Sequence, residues 1–89
     1  MVESWIEEVD GMFRLIFKPD SEEEAEKIKE HLMKRRFSYS SGMFTKDYKY
    51  LLDAQNERES IMGCLRVKGI KTRKRKFYLG VLYKTPEPL

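Results

Sequence analysis

The sequence predicts an α+β fold: an antiparallel sheet carrying two helices on one face. Three observations point there. Asp10-Gly11 separates two apolar-rich runs, Ser21 with Glu24 opens an amphipathic helix, and from residue 12 onward the segments follow the order β-α-β-β-α-β, after one extra N-terminal strand. At 89 residues the chain has room for one core, since a domain of this size buries only about 60–65% of its unfolded surface. Residues 1–84 are therefore expected to form one domain and residues 85–89 a frayed tail.

Residues 4–18 draw as a hairpin, with Asp10-Gly11 as a two-residue turn in which both residues take positive φ. That register sets Glu7 opposite Arg14, Ile6 opposite Leu15 and Val9 opposite Met12, pairing charge with charge and apolar with apolar. A rival drawing places Val2, Trp5, Ile6 and Val9 on one stripe of a short helix ended by Gly11. Lys18-Pro19 stops the second strand, and Asp20-Ser21-Glu22-Glu23-Glu24 starts a helix over residues 21–35. Ala25, Ile28 and Leu32 share one stripe of it, and Lys34-Arg35-Arg36 close its C-terminal end.

Residues 37–40 read as a short strand and Ser41-Gly42 as a turn. Residues 43–53 read as a further strand. Asn56 is expected to cap a second helix that runs to about Lys68, presents Ile61, Cys64, Leu65 and Lys68 on one side and stops at Gly69. A last strand is expected over residues 77–83, where Phe77, Leu79, Val81 and Tyr83 alternate with their neighbours. The whole order is the split βαβ arrangement of ferredoxin-like domains with one strand added in front.

The net charge of +3 hides an asymmetry. Residues 1–31 hold ten acids and four bases, whereas residues 32–89 hold five acids and fourteen bases. Such a dipolar chain favours oriented encounter with a charged partner. No apolar run nears the roughly 20 residues of a spanning helix. The start lacks the regions of a signal peptide, and a single cysteine cannot form an internal disulfide, so a cytoplasmic, reducing location is expected.

Catalysis has little support. His31 has no readable nucleophile or orienting acid, and Cys64 has no basic neighbour to lower its pKa. One histidine and one cysteine cannot build a structural zinc site, and no glycine-rich phosphate loop occurs. No enzyme activity, metal or cofactor is expected.

Two features suit RNA. Tyr48 and Tyr50, after Lys46, have the spacing of aromatics that stack on bases from a central strand, although Asp47 and Lys49 occupy places that such a motif fills with small residues. The run Lys71, Arg73, Lys74, Arg75 and Lys76, with Arg66 and Lys68, could neutralise several phosphates. Read blandly, these are tyrosines of an amphipathic strand and a solvated loop.

The segment Phe17-Lys-Pro-Asp-Ser-Glu-Glu-Glu-Ala-Glu-Lys-Ile-Lys-Glu-His-Leu32 resembles the strand-to-helix passage of the small dimerisation subunit of KEOPS, the archaeal and eukaryotic complex that adds threonylcarbamoyl groups to tRNA. Phe17, Pro19, Ser21, Ala25, Ile28 and Leu32 carry it, and residues 48–65 resemble that subunit's later strand and second helix through Ser60, Ile61 and Leu65. Where that family has an Arg and then an Asn-Ser pair, this chain has Met62 and Arg66-Val67. The resemblance implies a divergent, non-catalytic paralogue that forms a heterodimer with the homologous small subunit and modulates complex dimerisation or tRNA binding, directly through the basic run or indirectly. Trp5, Ile61, Met62, Leu65, Phe77 and Leu79 are the candidates for its protein interface. The alternatives are a stand-alone ferredoxin-like RNA-binding module and a small inhibitor docking on a larger protein.

Overall fold

A computed structural model describes residues 1–75 of the chain. The last expected strand, the tail, and with them Lys76, Phe77 and Leu79 lie outside the described residues. Strands β1 (Val2–Val9) and β2 (Met12–Lys18) form the hairpin. Its register pairs Glu7 with Arg14, Ile6 with Leu15 and Val9 with Met12, as the sequence predicts. Asp10 and Gly11 stand at φ 51° and 76°, the primed turn that matches the strands' right-handed twist. The helical drawing of residues 2–9 is thereby excluded.

Helix α1 spans Glu22–Lys34. Ser21 Oγ accepts from the Glu24 N–H at 3.1 Å, and the Glu24 carboxylate reaches back to the Asp20 N–H at 2.9 Å. The reciprocal cap is thus displaced one residue outward from the standard box. Ile28 and Leu32 are fully buried, each contributing about 1.5–3 kcal/mol of apolar burial. Arg36 ends the helix in the left-handed region at φ 69°, a conformation that favours glycine.

Strands β3 (Ser38–Ser40) and β4 (Met43–Tyr48) form a second hairpin through Ser41 and Gly42, again both at positive φ. Helix α2 occupies Leu51–Val67 with Tyr50 as its N-cap. Here the structure corrects the expected boundaries: β4 ends at Tyr48, five residues short of the expected end, and Asn56 lies inside the helix. A strand over residues 51–53 would alternate its side chains. The helix instead packs Leu51 against the core, with Ala54, Ile61, Met62 and Leu65 buried below.

Strand β5 (Thr72–Lys74) follows the Gly69 stop, so part of the basic run is itself a strand and does not merely precede one. The sheet order is β3-β4-β2-β1-β5. The β1–β2, β2–β4 and β3–β4 pairs are antiparallel, and β5 runs parallel to β1. In a ferredoxin-like sheet the last strand lies antiparallel beside the first strand of the motif, here β2. With β1 inserted between them, β5 keeps its direction and becomes parallel to the newcomer, so one pair of the sheet departs from the expected all-antiparallel arrangement. Val2, Ile6, Leu15, Phe17 and Phe44 of the sheet meet Ala25, Ile28 and Leu32 of α1 and Ala54, Ile61, Met62 and Leu65 of α2 in a single core.

Candidate functional site

Cross-strand partners share a face, so Glu3, Trp5, Glu7, Arg14 and Asp47 project from the side of the sheet opposite the core residues. Arg73, in register with Glu3, joins them. There the basic run is tied to this face by its acids. Arg73 Nη2 donates to Glu3, Arg75 Nη2 donates to the other Glu3 oxygen at 3.1 Å, and the two hydrogen bonds hold the Glu3 carboxyl down to about 2. The Arg75 guanidinium also lies 4.2 Å from the Trp5 ring centroid, while the Trp5 indole N–H donates to Glu7 at 2.8 Å. Lys74 pairs with Glu59 at 2.8 Å, and Arg66 Nε donates to Thr72 Oγ1 at 3.1 Å. Of the candidate cations that are described, Arg66, Lys68 and Lys71 have no ion pair among the described residues, and Arg66 is held by Thr72.

Tyr48 faces the helices, because it pairs with Phe13 on the core side of β2, whereas Tyr50 lies beyond the strand end as the α2 cap and is 60% exposed. The two rings therefore do not form a side-by-side platform on the open sheet face. Ile61, Met62 and Leu65, expected as interface candidates, are buried in the core because α2 presents that stripe to the sheet. Trp5 does lie on the open face, half-buried under Arg75.

A second cluster joins three elements around Glu57. Arg35 Nη1 donates to Glu57 Oε2 at 2.6 Å, and Lys46 Nζ and Tyr48 Oη donate to Oε1 at 3.2 and 2.9 Å. Lys46 also donates to the Arg35 carbonyl at 3.0 Å, and Arg35 Nη2 reaches Ser60 Oγ at 3.3 Å. Burial pushes the Glu57 carboxyl up, but the bonds from Tyr48, Lys46 and Arg35 outweigh it and hold the group below the ordinary range. Burial, reinforced by the Glu57 acceptor, pushes the Tyr48 phenol far up and keeps it neutral. An open depression beside the cluster is lined by Tyr48, Asp53, Asn56, Glu57 and Ser60. Glu57 of α2 accepts from Arg35 at the end of α1 and from Lys46 and Tyr48 of β4, which makes the cluster a tie between the three elements.

His31 lies on α1 one turn before Arg35, and Cys64 is partly buried on α2. Among the described residues no group of three or more His, Cys, Asp or Glu side chains could hold a metal ion. No helix there is long and apolar enough to cross a membrane.

The fold and this surface define an α+β domain with a five-stranded mixed sheet and two helices. No family model, no curated protein and no solved structure matches the chain. Sequence reasoning missed Glu3 and Glu57 as the acids that organise the cations. The only local signal for either was the excess of bases after residue 32, which leaves few acids to serve as partners.

Proposed function

We propose that this chain is a non-catalytic, cytoplasmic partner-binding subunit, and that the partner is the homologous small dimerisation subunit of KEOPS. The observation that carries the partner-binding reading is the edge strand β3. Ser38, Tyr39 and Ser40 are all exposed, and among the described residues the strand has β4 as its one neighbour. Such an edge offers unpaired backbone groups to a strand of another chain. The choice of partner rests on the resemblance, whose two segments fall on β2–α1 and on the end of β4 with α2. The basic run suits a supporting role toward tRNA. Arg73, Lys74 and Arg75 are committed to Glu3 and Glu59, so a phosphate must compete with carboxylates for them, and Lys68 and Lys71 remain the readier contacts. A stand-alone RNA reader has less support, because Tyr48 is turned toward the helices. Size-exclusion chromatography of the two purified subunits tests the proposal: co-elution as one heavier species supports it, and elution as two separate species removes it.

A further inference from the structure

We propose that the seam between α1 and α2 is an acid-sensitive joint controlled by His31. Arg35, four residues on from His31 and so on the same flank of α1, bonds to Glu57 and Ser60 of α2, which turns that flank toward the second helix. The His31 Nε2 atom is buried and has no hydrogen-bond partner among the described residues. The charged groups around the ring are Lys34 and Arg35 of α1, Lys68 at the end of α2, and Glu57 of α2. Three of the four are cations, and the single carboxylate is already shared among Arg35, Lys46 and Tyr48.

A proton on His31 would therefore place a fourth positive charge in a partly desolvated seam where Nε2 has no hydrogen-bond partner among the described residues. Burial first, then Arg35, Lys68 and Lys34, hold the imidazole below its ordinary 6.5. The unfolded chain then binds the proton more readily than the folded one. The neutral imidazole's contribution is complete above pH 6.5 and is lost as pH falls through the folded value. His31 is the chain's one histidine, and the N-terminal ammonium, raised above 8.0 by Asp20 and Glu24, acts in the opposite sense because its contribution grows as the pH falls, so a loss on acidification that depends on residue 31 belongs to His31.

The test is urea unfolding at pH 7.5 and 5.5 for the wild type and His31→Gln, alongside an NMR titration of the single imidazole. The expected result is a wild-type midpoint that drops at the lower pH, a His31→Gln midpoint that stays level, and an imidazole titrating below 6.5 that moves upward in Lys68→Met. An imidazole titrating at or above 6.5, or a drop that persists in His31→Gln, overturns the proposal. Should His31→Gln fail to fold, the wild-type titration decides alone.

Discussion

Removing the Glu57 carboxylate by Glu57→Ala strips the acceptor from Arg35, Lys46 and Tyr48 at once. An exposed ion pair is worth about 0–1 kcal/mol, and breaking a fully buried one costs about 3–5 kcal/mol. Glu57, Arg35 and Lys46 are 21, 29 and 27% exposed, which places the cluster between those limits. The expected loss is about 2 kcal/mol, or roughly 8–16 °C in Tm for a domain of this size. Urea and thermal unfolding followed by circular dichroism would measure it. A cycle with Lys46→Met should show coupling of about 0.5 kcal/mol or more, because both side chains share one network. A loss under about 0.5 kcal/mol, the range of an ordinary surface substitution, would refute the claim that Glu57 ties three elements together. The pH dependence has a definite sign. Glu57 is held below its ordinary 4.5, so its contribution is present above that value and fades as pH falls through the folded one.

Three further outcomes follow from the same geometry. Arg36→Gly should stabilise the domain by about 1 kcal/mol in thermal unfolding, since φ 69° costs a side chain that glycine lacks. Leu32→Ala, at a fully buried site between α1 and the sheet, should cost about 2–5 kcal/mol in urea unfolding. Glu3→Gln should lower Tm at pH 7 by removing the charge that Arg73 and Arg75 share. It should also flatten the acid limb between pH 4.5 and about 2, the interval over which the native Glu3 loses its stabilising charge as the pH falls.

Local chemistry made much of this fold legible in the sequence. Asp10-Gly11 and Ser21 with Glu24 each act over a few residues, so their turn and cap could be read directly, and the hairpin register followed from the turn. The start of α2 was misread because Tyr48 and Tyr50 favour a strand locally, whereas burial of Leu51 and Ala54 against distant strands decides for helix. The fate of the basic run was illegible for a similar reason. Its partner Glu3 lies 70 residues from Arg73, and only the parallel pairing of β5 with β1 brings them together. Charge composition could say that acids were scarce in the second half, but not that Glu3 and Glu59 would take up three of the run's cations.

The most direct test of the functional account is sedimentation velocity of this chain titrated against the small KEOPS subunit of the same organism. A heterodimer gives a single faster species that saturates at equal molar amounts, with neither free subunit remaining. Two unchanged boundaries at micromolar concentration would contradict it.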